Sequence, residues 1–139
     1  MTDSFFIDTN ILVYSRDSSE PEKQKKASAL LEKLWQNNSG RISIQVCNEY
    51  YVTVTQKLDP GLDREEAWDD IVLLSSWKPA PLDFKTIQKA KQVQSEYNLS
   101  WWDSLIISAA WLLNCRGIYS EDLNHGQKYL DMEIINPFI

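Results

Sequence analysis

Along the chain, short apolar runs alternate with longer stretches in which apolar residues recur at helical spacing. Ser4 to Asp8 is a compact apolar run that ends in an acid and predicts a first strand. Ser19-Glu20-Pro21 opens a helix, with proline in the first turn and Ala27, Leu30, Leu31, Leu34 and Trp35 as its inner face; Asn38 to Gly40 closes it. Arg41 to Ile44 predicts a second strand. In Gln45 to Leu58, Val46, Tyr50, Val54 and Leu58 fit a helix, while Val52-Thr53-Val54-Thr55 favours a strand; length decides for helix. Asp59-Pro60-Gly61 predicts a turn. Asp63 then caps a helix to about Trp77, with Glu66 in the capping-box position. Lys78 to Leu82 carries two prolines, which restricts it to an edge strand or a connector. Asp83 and Ser100 cap two further helices, and Ile118 to Ser120 and Glu133 to Ile135 predict short closing strands. Strands separated by helices imply right-handed crossovers and a mostly parallel sheet covered by helices on both faces, an α/β class.

No repeat, low-complexity tract or linker divides the 139 residues, so one domain over 1–139 is expected. Hydrophobic residues at 43% and charged residues at 24% exclude a disordered chain. The longest apolar runs, Phe5 to Ile7 and Ile71 to Leu74, fall far short of a membrane span. The opening Met1-Thr2-Asp3-Ser4 lacks the positive charge of an export signal, so a cytoplasmic chain is expected. Cys47 and Cys115 have no cysteine or histidine nearby and read as reduced, partly buried thiols.

Net charge is −6, with most of the acidic excess in the first half. A long-range field of this sign does not gather nucleic acid, so what the acids do decides the question. Ligands of such sheets bind beyond the carboxyl ends of the strands. Asp8 ends the first strand, and Asp122 follows the strand at Ile118 to Ser120. Asp103 lies in the first turn of the Ser100 helix, and Glu49 about one turn into the helix after the second strand. Each has an innocent reading: Asp103 as the partner of Ser100 in a capping box, Glu49 as a solvated helix residue, Asp122 as a turn residue. Asp8 resists it most, being a charge embedded in an apolar stretch. Two carboxylates ~4 Å apart repel by about 4 kcal/mol at an effective dielectric of 20. Four that converged would therefore take up protons or bind a cation. An all-oxygen set suits Mg²⁺ or Mn²⁺, and His125 is the one histidine, so zinc is disfavoured. Such a centre serves metal-assisted phosphoryl transfer.

These residues resemble a known family. Phe6-Ile7-Asp8-Thr9-Asn10-Ile11-Leu12, Gln45 to Tyr50, Trp102-Asp103-Ser104-Leu105-Ile106, Ser120 to Gln127 and the closing Ile135-Asn136-Pro137-Phe138 occur in the order seen in PIN domains. More narrowly they look like the VapC ribonuclease toxins of type II toxin–antitoxin systems. The resemblance implies a three-layer α/β/α sandwich and Mg²⁺- or Mn²⁺-dependent cleavage of RNA. It implies an acidic quartet of Asp8, Glu49, Asp103 and Asp122, with Asp8 and Asp103 the firmest metal ligands. Thr9 and Asn10 would orient or tether the acids, and Glu121 competes with Asp122 for the fourth place. It further implies an antitoxin partner and a homodimer. The alternative is a catalytically inert module of the same fold whose acidic pocket holds a basic partner segment.

Weaker signals point elsewhere. No Walker loop or G-x-G-x-x-G is present. Asn10 stands where a haloacid-dehalogenase-type phosphatase wants a second aspartate, and the paired acids and strand-end lysine of a receiver domain are missing. A lone His125 in a predicted turn disfavours a Ser–His–Asp hydrolase. Trp35, Trp68, Trp77 and Trp111 read as packing residues rather than base-stacking ones, and Lys23, Lys25, Lys26 and Arg116 as solvated charges before RNA guides.

Overall fold

A computed structural model describes residues 3–139; Met1 and Thr2, half of the opening stretch that lacks positive charge, lie outside the described residues. A five-stranded sheet runs in the order β2 (Gly40–Arg41), β1 (Phe5–Ile7), β3 (Gly117–Tyr119), β5 (Met132–Ile135), β4 (Lys128–Tyr129). The first four are parallel, and β4 returns antiparallel to β5. Six helices cover it: α1 (Thr9–Tyr14), α2 (Pro21–Gln36), α3 (Ile44–Val52), α4 (Arg64–Leu74), α5 (Phe84–Tyr97) and α6 (Trp101–Leu112). This is the mostly parallel α/β/α architecture that the alternation of elements leads one to expect.

The core joins the central strands to the inner helix faces. Phe6, Ile7, Ile118 and Ile134 from the sheet and Ile11, Val46, Val54, Val93 and Ile107 from the helices are fully buried. Strands buried on both faces become short apolar runs, and this is why three-residue strands are stable here. Gly117 is obligatory for a local reason: a Cβ on it would meet the Glu133 carbonyl oxygen at 2.8 Å, where β3 pairs with β5.

Local signals account for the helix ends. The Asp63 carboxylate accepts from Glu66 N–H and the Glu66 carboxylate from Asp63 N–H, a complete capping box. Asp83 and Ser100 accept from the third helical N–H in the same way. The structure also departs from expectation. Thr9–Tyr14 forms α1 directly after β1; six residues are too few to show a helical period. The second strand is only Gly40–Arg41, because the Ser43 side chain caps α3 from Ile44 onward. The stretch to Leu58 is helical, its end widened into a π turn over Thr53–Lys57. Within Lys78 to Leu82, only Ala80 bridges to Ser43. The hairpin strand β4 carries no pattern that two residues could display. Cys47 and Cys115 are free and buried, and burial pushes the Cys115 thiol up to about 12. No helix among the described residues is long and apolar enough to cross a membrane.

Candidate active site

The β1–α1 junction places Asp8 beyond the carboxyl end of β1, between β2 and β3 in the sheet, where it is 7% exposed. Its backbone N–H donates to the Tyr119 carbonyl of β3. Its carboxylate accepts from Thr9 N–H at 2.8 Å, from the Ser120 hydroxyl at 2.8 Å and from the Asn10 amide at 3.4 Å. Burial raises its pKa from 3.8 to about 6; the Ser120 and Thr9 hydrogen bonds oppose the rise, and the charges of Asp122 and Glu49 add to it. A buried acid given only neutral donors is a costly arrangement unless something else compensates it.

The other predicted acids line the same cavity, of about 840 Å³, together with Asp8, Thr9 and Asn10. Glu49 comes from α3 and accepts from the Thr9 hydroxyl at 2.7 Å. Asp122 follows β3 and accepts from the Asn10 amide at 3.0 Å, so Asn10 bridges Asp8 and Asp122. The Asn10 carbonyl oxygen accepts from Glu121 N–H, which ties the loop after β3 to α1. Asp103 sits in the first turn of α6, its N–H donating to the Ser100 hydroxyl. The reciprocal bond of a capping box is not formed, and among the described residues its carboxylate accepts no hydrogen bond.

Glu121 points differently from its neighbour. Lys23 Nζ lies 2.6 Å from its carboxylate and the Tyr14 hydroxyl donates to it at 2.6 Å. Burial disfavours its ionised form, but these two donors outweigh it and lower the pKa. Lys23 also lies over the rings of Tyr14 and Phe138. Of the lysine cluster at the start of α2, this one therefore has a specific partner rather than only solvent.

Two residues of the site stand outside the predicted set. Ser120, fully buried, donates to Asp8 and accepts from the N–H groups of Asp122 and Leu123, so one hydroxyl fixes the positions of two acids. Gln45, also buried, donates from Nε2 to the Glu49 carboxylate and to the Trp102 carbonyl, both at 3.4 Å. The signal for each was its place in a strand-end or helix-start motif, but a serine or glutamine there reads as an ordinary cap. His125 lies away from the cavity lining and accepts from Asn136 N–H in its turn. Of the four tryptophans read as packing residues, Trp77 is buried, and Trp35 stacks on it with centroids 4.9 Å apart. Trp68 is 56% exposed, and Trp35 and Trp111, the latter under the Lys89 ammonium, are each 42% exposed, so of the four only Trp77 is buried.

Among the described residues no group of three or more acid, histidine or cysteine side chains is drawn together tightly enough to hold a metal ion as it stands. Neutral donors link the carboxylates instead: the Asn10 amide bonds Asp8 and Asp122, and Thr9 bonds Asp8 and Glu49. The donor chemistry nonetheless fits a hard divalent cation: carboxylates, a hydroxyl and amide oxygens line the cavity, with neither sulfur nor imidazole among the lining residues.

Comparison with known proteins gives the fold a wider setting. The model of the PIN domain family matches residues 5–129. A toxin–antitoxin complex from Klebsiella pneumoniae is similar in structure at 17% identity, with a TM-score of 0.69 over 96% of this chain and 98% of that one. FitAcB from Neisseria gonorrhoeae is similar at 16% identity, with a TM-score of 0.72 over 96% and 98%. VapBC2 from Rickettsia felis, solved with a DNA fragment from its promoter, gives 19% identity and a TM-score of 0.64 over 94% and 96%. No sequence match to a curated protein accompanies these likenesses.

Proposed function

Since the chain belongs to the PIN domain family, we propose that it is a Mg²⁺- or Mn²⁺-dependent endoribonuclease acting in the cytoplasm as the toxin of a toxin–antitoxin pair, with residues 1–139 as one domain. The observation that carries the reading is Asp8: a carboxyl group buried at a strand end, its pKa raised to about 6, in one cavity with Glu49, Asp103 and Asp122. A structural neighbour described as a toxin–antitoxin complex supports a small antitoxin as partner, and a homodimer belongs to the same proposal.

In this reading Asp8 and Asp103 are the principal ligands of the cation, and Glu49 and Asp122 hold a second ion or act through ordered water. When bound, the cation supplies positive charge to the scissile phosphate and makes an attacking water easier to deprotonate. The chain's own contribution is placement. Ser120 and Thr9 N–H aim the Asp8 carboxylate, Thr9 Oγ1 aims Glu49, and Asn10 sets the distance between Asp8 and Asp122. Asp122 rather than Glu121 completes the quartet, because Lys23 and Tyr14 already engage the Glu121 carboxylate.

One observation favours a second reading, an inert module whose pocket captures a basic segment of a partner: the acids are spaced by neutral donors rather than clustered. Incubating the purified chain with structured RNA and Mg²⁺ separates the two. Discrete fragments, lost with chelator and with Asp8→Asn, are expected of the nuclease. Equal cleavage by wild type and Asp8→Asn assigns the activity to a contaminant and leaves the binding module.

A further inference from the structure

The acid-lined cavity has a second, apolar wall. Ile44 and Val52 of α3, Leu82 and Trp102 line it beside Gln45, Glu49 and Asp103. All four apolar residues are exposed, and Trp102 is 60% exposed. Large apolar side chains left open to water inside a cavity mark a surface built for an occupant.

Trp102 differs from the other tryptophans whose surroundings are described above. Trp77 is buried, Trp35 leans on it, and Trp111 lies under the Lys89 ammonium, the last two each 42% exposed. Trp68 is open but lies outside the cavity. Trp102 is open, in the cavity, and immediately precedes Asp103 in the first turn of α6. Its backbone is fixed to the acid cluster, because the same Gln45 amide that donates to Glu49 donates to the Trp102 carbonyl. The backbone that carries the indole is therefore tied to Glu49, and the indole and the acids open onto one cavity.

We propose that Trp102, which lines this wall with Ile44 and Leu82, is the stacking platform for one unpaired nucleobase next to the phosphate that a cation at the acids would hold. This rests on the ribonuclease reading above. A nucleotide carries an anion and a flat aromatic face a short distance apart, and this one cavity is lined both by the acids and by an exposed indole. A base inside a duplex cannot present its face, so pairing excludes it. A basic peptide would satisfy the acids but leave the flat indole without a specific partner.

The test is cleavage of a single-stranded RNA oligonucleotide by wild type, Trp102→Ala and Trp102→Phe, with one abasic residue walked through the positions around the cut. Stacking on an aromatic side chain corresponds to about a ten-fold effect or more. Trp102→Ala should lower kcat/KM about ten-fold and Trp102→Phe far less. One abasic position should cost wild type the same factor while costing Trp102→Ala nothing further. The same cut site within a duplex should be poorly cleaved. Circular dichroism checks folding, and Trp102→Phe, which keeps an aromatic face, serves should the alanine variant unfold. Full activity of Trp102→Ala, or additive losses from the two changes, overturns the proposal and leaves the apolar wall to a protein partner. Failure of wild type to cut any RNA instead overturns the nuclease reading itself.

Discussion

Asp8 permits a quantitative expectation about stability and pH. Its carboxyl pKa rises from 3.8 to about 6 on folding, mainly through burial, which corresponds to about 3 kcal/mol of preference for the protonated form in the folded chain. The folded state binds this proton more tightly than the unfolded state does. Its contribution to stability is therefore fully present below pH 3.8 and is lost as pH rises through about 6. At pH 5 about half of it remains, and at pH 7 almost nothing. Other carboxylates titrate in the same range, so the measurement is a difference: urea unfolding of wild type and Asp8→Asn, each at pH 5 and pH 7 with chelator, followed by tryptophan fluorescence. The substitution also alters the bonds to Ser120 and Thr9, but that cost is the same at both pH values and cancels. Wild type should lose about 1 kcal/mol relative to Asp8→Asn between pH 5 and pH 7. Saturating Mg²⁺ should largely abolish this loss, since a cation takes over from the proton. A difference that stays flat, or that changes sign, refutes the assignment of a buried, poorly compensated acid at this position.

Three further expectations follow from the same contacts. Ser120→Ala removes a hydrogen bond that lowers the Asp8 pKa and an acceptor for two loop N–H groups. The Asp8 titration, read by carboxyl NMR on the metal-free chain, should move above 6, with about 1–2 kcal/mol of stability lost; an unmoved titration counts against the Ser120 contact. Asp103→Asn should stay folded, because the cap of α6 is the Ser100 hydroxyl, yet lose most of the rise in Tm that Mn²⁺ gives wild type, a rise worth about 2.7 kcal/mol at a hundred times Kd. A variant that keeps the full rise is not missing a ligand. Gly117→Ala would set its Cβ against the Glu133 carbonyl at 2.8 Å, and chemical denaturation should show a loss of about 1–3 kcal/mol, with no loss meaning that β3 and β5 separate more easily than their pairing suggests.

Much of the architecture was legible because its signals are local. Asp63, Asp83 and Ser100 cap helices through their own side chains, and capping needs no knowledge of the rest of the fold. Asp8 stood out for an equally local reason, a charge among Phe5, Phe6, Ile7, Ile11 and Leu12. What escaped was either too short to have a period or decided at long range. The six residues of α1 and the two of β4 fall below any window in which 3.6 and 2.0 can be told apart. The bond of Ser120 to Asp8 spans 112 positions and that of Gln45 to Trp102 spans 57, and neither pairing is visible until the strands are in order. The choice between Glu121 and Asp122 was open for the same reason. It turns on Lys23, 98 positions away from Glu121.

The distribution of ion pairs bears on how the proposed nuclease, with a net charge of −6, would meet a polyanion. Among the described residues the salt bridges join Arg16 to Asp70, Lys23 to Glu121 and Arg116 to Asp3. Each neutralises an acid outside the predicted quartet, and Lys23 does so at the very rim of the cavity. Asp8, Glu49 and Asp122 receive only amide, hydroxyl and backbone donors. Lys57, the single lysine or arginine lining the cavity among the described residues, makes no ion pair with them. Uncompensated negative charge is thus concentrated in one concave place, where low-dielectric walls strengthen its field. A phosphate approaching that field is repelled, whereas a divalent cation is drawn in. The proposed order of events follows from this electrostatics alone: the cation binds before the RNA, and RNA affinity measured with chelator should be far weaker than with a divalent ion present.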